Sequence, residues 1–387
     1  MFLPTTLKEA STLGWEKLDI ILVTGDTYID SPFMGVALIG KILVNKGYRV
    51  GIIAQPRIDV PDDISRLGEP RLFWGVTGGA IDSMVANYTA LKKKRKSDDF
   101  TPGGMNTKRP DRAVIAYTNL IRRHFKKTVP IVLGGIEASL RRVAHYDFWS
   151  NKIRRSILLD AKADYLLFGM AHAAIVKFAD ALDNGHATDE IRGLAFMSSQ
   201  KKGDELPDFK SVQEDKSDFI KCFKIFYQNT DPITARTLHQ KYDNRYLILN
   251  PPERFSSTKE LDQIHGLDFE RDVHPFYKRL GRVKALETIR FSIPVHYGCY
   301  GECHFCAITV HQGRTVRFRS DASIINEAEK IISLPDFKGY ITDLGGPTAN
   351  MYGFECTKKQ EKGICDDKRC LFPSACKSLK PDHSAYI

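Results

Sequence analysis

Ile20-Ile-Leu-Val-Thr24, followed by Gly25-Asp-Thr-Tyr-Ile-Asp-Ser31, decides how this chain folds. Five apolar or β-branched residues without polar alternation read as a strand buried on both faces. The polar turn after it leads into an apolar helix over Phe33–Asn45, stopped by Lys46-Gly47. Working outward, the same beat recurs. Arg49–Ala54 reads as a strand ended by Gln55-Pro56, and Leu72–Val76 as a strand leading into a helix near Ile81–Leu91. Arg112–Phe125 is amphipathic, Pro130–Leu133 is a short buried strand, and Tyr165–Phe168 is another that feeds Ala171–Leu182. This alternation predicts an α/β fold with a doubly wound, mostly parallel sheet over residues 1–185. Such sheets bind ligands at the carboxyl ends of their strands, where the turns Gly25–Ser31, Thr77–Ser83 and Gly134–Ser139 fall.

Residues 186–285 read as a connector with charge clusters, a strand at Tyr246–Asn250 and a break at Pro251-Pro252. His265, His274 and Tyr277 lie close before the next apolar stretch, within reach of an active site, with surface or packing roles as the default.

That stretch, Ile289–Val295, runs into Cys299-Tyr-Gly-Glu-Cys303-His-Phe-Cys306, three cysteines inside eight residues. Thiolates this close in one loop can converge on one metal centre. A saturated iron–sulfur cluster uses four thiolates, so three local ones suggest a cluster with one iron left open. Two other readings compete on spacing alone. A structural zinc knuckle could recruit His304, His296 or a distant cysteine, and core cysteines on one helix face are the third reading, opposed by Gly298 and Gly301.

Downstream, Gly339-Tyr-Ile-Thr-Asp-Leu-Gly-Gly-Pro347 reads as a strand ending in a glycine pair, and Asp321–Ser333 as a helix capped by Ser320. With Phe305 between the second and third cysteines, the stretch Ile289–Asn350 resembles the start of a radical S-adenosylmethionine (SAM) domain. Asp82–Tyr88, Gly134–Arg142, His265–Tyr277 and Asp343–Tyr352 are similar to the YgiQ-type radical SAM proteins over nearly the whole chain. The resemblance implies a [4Fe–4S] cluster on Cys299, Cys303 and Cys306, with Gly345 and Gly346 orienting SAM and Phe305 near its adenine. Pro347 stands where the family's glycine-pair motif has Glu. It also implies reductive SAM cleavage to a 5′-deoxyadenosyl radical, an electron donor such as a flavodoxin or ferredoxin, and a substrate the sequence does not name.

The first sheet resembles the Rossmann-like, cobalamin-binding domains of some radical SAM enzymes, with Val132-Leu-Gly-Gly135 as the nearest point. Gly25–Ser31 lacks the Asp-x-His-x-x-Gly element of base-off cobalamin proteins, so a purely structural sheet is the competing reading. Residues 286–352 are expected to begin a βα barrel, which needs eight strand–helix units in about 250 residues. On that ground the barrel is expected to be incomplete and the chain a fragment or short product of weak activity. The tail, 353–387, carries Cys356, Cys365, Cys370 and Cys376 among charged residues and reads as a second metal site, iron–sulfur or zinc.

The composition agrees with an intracellular, cytoplasmic enzyme. The chain has 387 residues, 42% of them apolar, and no run long enough to span a membrane. Eight cysteines clustered in one half point to metal chemistry rather than a disulfide scaffold. Cys222, isolated, reads as a buried small apolar residue. The net charge of +10 is spread out, and its densest run, Lys92–Lys96, reads as a solvated helix end. Nucleic acid is therefore the minor partner reading, carried by the alternative of a zinc-stabilised nucleic-acid-binding protein.

Overall fold

The structure is a computed structural model and describes residues 1–380. Nine strands form one sheet: β1 (Ile20–Thr24), β2 (Val50–Ala54), β3 (Phe73–Thr77), β4 (Ile131–Gly134), β7 (Tyr165–Leu167), β8 (Leu194–Ser198), β9 (Asp204–Leu206), β10 (Leu238–Tyr242) and β11 (Arg245–Leu249). Strands β5 (His145–Asp147) and β6 (Lys152–Arg154) make a separate hairpin. The sheet order is β2-β1-β3-β4-β7-β8-β11-β10-β9. Its first five strands are parallel, in the doubly wound order whose switch point lies between β1 and β3.

Alternate residues of β1 serve two cores, as period-two geometry requires. Ile21 and Val23 pack with Trp74 and the helix Ala113–His124, whereas Ile20 and Leu22 pack with Gly35–Asn45 and His172–Asp183. The helix Gly35–Asn45 buries Val36, Ala37, Leu38, Ile42 and Leu43 and ends before Gly47, whose φ of 94° continues no helix.

The segment expected as a connector extends this sheet past residue 185. Strands β8, β11 and β10 add antiparallel, and β9 pairs parallel with β10. Only β11 was legible beforehand, as Tyr246–Asn250. Further on, residues 270–277 fold back onto the first turn. His274 stacks on Tyr28, and the Tyr277 hydroxyl accepts from Ala54 N–H at 2.8 Å, so both have the packing roles expected of them. Cys222 is buried in the first core, also as expected.

The second unit is smaller. β12 (Ser292–Pro294) pairs parallel with β15 (Asp343–Gly345), joined by a crossover containing the helix Asp321–Ile332, N-capped by Ser320. β13 (His296–Tyr297) pairs antiparallel with β14 (Arg317–Phe318). The strand expected over Gly339–Pro347 is confined to three residues. Beneath β12, Glu327 accepts from both Arg271 and Arg319, and Arg271 also donates to the Ser292 carbonyl at 3.1 Å. A buried carboxylate between two guanidiniums thus pins the start of the second unit to the segment before it. No described helix is long and apolar enough to cross a membrane.

Candidate functional site

The cysteine loop leaves β13 through Gly298, where φ is 82° and a Cβ would lie 2.3 Å from the Thr315 carbonyl. Only glycine makes that turn without strain. Cys299 is buried, Cys306 half-buried and Cys303 exposed, and all three are free thiols. The Cys299 sulfur accepts from Gly301 N–H at 3.3 Å and from the Thr348 hydroxyl at 3.4 Å. A Cβ on Gly301 would sit 3.3 Å from the Cys299 sulfur and 3.5 Å from that of Cys303. The bare glycine therefore leaves these two sulfurs flanking the same space.

Glu302 holds the loop from behind. At φ 48° its side chain is buried, accepts from the Tyr227 hydroxyl at 3.0 Å, and lies 3.4 Å from Arg314 and 3.8 Å from Lys359. Among the described residues, no three His, Cys, Asp or Glu side chains gather round one point as they would around a bound ion. The triplet nevertheless fits a cluster by its donor set: three free thiols of one loop, with hydrogen-bond donors supplied to the buried one.

The parallel register sets Pro294 opposite Gly345, and Val295 N–H donates to the Gly345 carbonyl at 2.8 Å. The glycine pair thereby lies beside the start of the cysteine loop. A Cβ on Gly346 would meet the His296 ring at 2.2 Å, so the imidazole face closes on bare backbone. His296 is buried with both ring nitrogens unpartnered, and burial pushes its pKa down to about 4. Phe305, by contrast, presents its ring to solvent, 93% exposed.

The tail joins the loop rather than standing apart. Cys356 and Cys370 are buried in one apolar cluster with Cys299, Tyr300, Val316 and Met351, and Cys376 packs against it. Cys365, half-buried, lies outside that cluster. Lys359 runs back to the loop, donating to the Arg314 carbonyl at 2.8 Å. Burial raises the Cys370 thiol's pKa, with Lys359 opposing, whereas hydrogen bonding to Ser378 lowers that of Cys376.

A cavity of about 270 Å³ opens at the carboxyl ends of β1, β3, β4 and β7. The turns after these strands contribute Asp26, Thr77, Gly79 and Gly135, where a ligand was expected. The Gly25–Ser31 turn is largely closed on itself: Asp26 pairs with Arg109, Thr27 bonds Gln55, and Asp30 lies 3.1 Å from Lys41. The far wall is Tyr297, Ile308, His311 and Gln312, from either side of the cysteines. The Tyr297 hydroxyl meets His265 Nε2 at 2.9 Å, and His311 Nδ1 meets the Ser139 hydroxyl at 3.0 Å. Burial pushes His172 and His311 down to about 4, so both imidazoles are neutral at pH 7. His172, Tyr297 and His311 were not foreseen in this role. His172 comes from one segment and Tyr297 and His311 from the flanks of the cysteine loop, and nothing local in the sequence pairs them.

The Radical SAM N-terminal family matches residues 2–292. The UPF0313 protein of Fusobacterium nucleatum subsp. nucleatum is 55% identical over 100% of this chain and 68% of its own length. That of Thermotoga neapolitana is 53% identical over 100% of this chain and 69% of its own. Among solved structures, the radical SAM methyltransferase TsrM from Kitasatospora setae, with cobalamin and a [4Fe-4S] cluster bound, superposes with a TM-score of 0.50 at 16% identity. The likeness is one of fold and covers 85% of this chain and 47% of that one, so the present chain spans about half the TsrM length. The chain belongs to the UPF0313 family, among the YgiQ-type radical SAM proteins whose motifs it carries.

Proposed function

We propose that this chain holds a [4Fe–4S] cluster on Cys299, Cys303 and Cys306 and binds SAM beside it for reductive cleavage. The observation that supports this most directly is the β12–β15 register, which puts Gly345 and Gly346 next to the cysteine loop. When bound, the cluster supplies one electron to the SAM sulfonium, the origin of a 5′-deoxyadenosyl radical. The chain's own part is positioning. Gly301 N–H and the Thr348 hydroxyl donate to the Cys299 sulfur, and Gly346 brings bare backbone beside the cysteine loop under the His296 ring. The exposed ring of Phe305 is a stacking surface for adenine. Exposed Cys303 marks the side from which a flavodoxin or ferredoxin would deliver its electron.

The cavity between the sheet and Tyr297 is the place for a second ligand. Cobalamin, which TsrM binds, is the candidate, with the neutral imidazoles of His172 and His311 facing it. Hydroxocobalamin titrated against the full chain should change its visible spectrum on binding. The tail cysteines are assigned to a separate metal, supported by their number and by the packing of Cys356, Cys370 and Cys376 together beside the loop.

Anaerobic reconstitution with iron and sulfide tests the main reading. Iron with acid-labile sulfide, a SAM-perturbed signal after dithionite, and 5′-deoxyadenosine as product are expected. Zinc without sulfide would overturn it in favour of a zinc-stabilised, nucleic-acid-binding protein.

A further inference from the structure

Arg141 and Arg142 are neighbours with opposite circumstances. Arg141 pairs with Asp82. Arg142 is 2% exposed, and among the described residues its guanidinium has one hydrogen bond, to the Ser139 carbonyl. Its guanidinium lies between two rings, 4.5 Å from the Phe168 centroid and 4.4 Å from that of Phe226. A cation between aromatic faces is partly compensated, yet its in-plane N–H edges stay free. Burial alone pushes its pKa down to about 9, with no carboxylate opposing, and it remains protonated at pH 7. A buried, unpaired charge is costly, and proteins keep one where something else neutralises it.

Arg142 lines a second cleft, of about 80 Å³, together with Arg254, Arg317, Thr315 and His172. That is several times the space one water needs. The Thr315 hydroxyl and His172 Nδ1 are buried there without partners. Glu253, the carboxylate of the same wall, is taken by Lys177 at 2.7 Å. Three arginines thus line one small space with two polar residues, and Arg317 also donates to the Ser256 carbonyl at 3.1 Å. It shares Gly169, Met170, His172, Tyr297, His311 and Gln312 with the larger cavity.

We propose that this cleft is an oxyanion site. It takes the phosphate or carboxylate group of a ligand whose body lies in the adjoining cavity, with Arg142 as the main contact. The planar fork of a guanidinium fits either group in two-pronged fashion, and the flanking rings hold that fork in one plane. Arg254, at the exposed rim, adds charge along the way in. The site does not depend on the radical chemistry proposed above and would stand if that reading failed.

Thermal unfolding of the full chain in phosphate, acetate and chloride at equal ionic strength tests it. Phosphate or acetate should raise the wild-type midpoint by a few degrees beyond chloride. Arg142→Met should lose that rise, with apparent affinity reduced at least about tenfold. Without anion it should melt no lower than wild type, because it removes an uncompensated charge. Arg254→Gln, an exposed change that leaves the core intact, should weaken the effect severalfold and decides the matter if Arg142→Met misfolds. A response to phosphate alone makes the group a phosphate, and one to acetate alone makes it a carboxylate. No anion response, one that chloride reproduces, or one unchanged in both variants overturns the proposal.

Discussion

The β1–β11 sheet and the β12–β15 pair use the same strand–crossover–strand construction but are held together differently. In the sheet, Ile20, Ile21, Val23 and Trp74 are fully buried in cores shared by many strands and helices. The second unit has a small core around Ile293, Val295, Ile331 and Tyr352. To that small core it adds Glu327, clasped by Arg271 and Arg319, and Glu302 with Arg314 and Lys359. The unit that carries the thiols thus has buried charge beside only a small apolar core, whereas the sheet sets its buried pairs, such as Asp26 with Arg109, inside two large apolar cores. Apolar cores tolerate volume-conserving exchange, whereas a buried ion triad fails when one member is removed.

The sharpest way to break this contrast is Glu327→Gln. It leaves two guanidiniums uncompensated and should cost about 3–5 kcal/mol, read as a lower urea midpoint. A loss below 1 kcal/mol would place the second unit's stability in its apolar contacts after all. Gly346→Ala comes next. Its methyl group would meet the His296 ring at 2.2 Å, so a cost of about 1–3 kcal/mol is expected, with SAM binding weakened in parallel. Wild-type affinity in that variant would remove the glycine pair from the site.

The effect of pH should be smaller per residue and common to both regions. Burial holds His172, at the sheet's cavity, and His296, by the cysteine loop, at about 4. The unfolded chain takes up their protons near pH 6.5 while the folded chain does not, so stability is full above that pH and falls as pH drops toward 4. Each should contribute a slope of up to about 1.4 kcal/mol per pH unit in that window. His172→Gln and His296→Gln should each flatten the fall between pH 7 and 5, and an unchanged profile would mean that the ring in question is solvated. The smallest change in stability is expected from Cys303→Ser. At that exposed position the midpoint should move by less than about 0.5 kcal/mol, while the SAM-perturbed iron signal disappears. Retained signal in that variant would sink the cluster assignment.

Where the chain repeats a local rule, the sequence was readable. Ile20–Thr24, Val50–Ala54 and the helix ended at Gly47 were all expected within a residue or two. The helix expected near Ile81–Leu91 is only Ser83–Asn87. Asp82 caps its start, and Asn87 and Tyr88 are drawn off to Asp111. Strands β9 and β10 escaped notice because Asp204–Leu206 and Leu238–Tyr242 carry mixed polarity, and β8, Leu194–Ser198, because its short apolar run has no β-branched residue. Their pairing partners are decided by the fold. The triplet Cys299, Cys303 and Cys306 and the pair Gly345-Gly346 could be found because each is contiguous. Arg142 sat in a recognised motif, yet its lack of a counterion is a property of packing, which no local pattern encodes. The expected closeness of Phe305 to adenine has as its counterpart here an exposed ring, open to stacking.

Tyr297 has two neighbours that seldom share a residue. It walls the cavity at the carboxyl ends of the sheet's strands, and it stands two positions before Cys299. Its hydroxyl is tethered to His265. A cavity ligand that shifts this ring pulls on the backbone that presents the first thiol. Thermodynamic reciprocity then fixes the form of the communication. Whatever factor the cavity's occupant applies to the affinity of the loop for SAM, SAM must apply to that occupant in return.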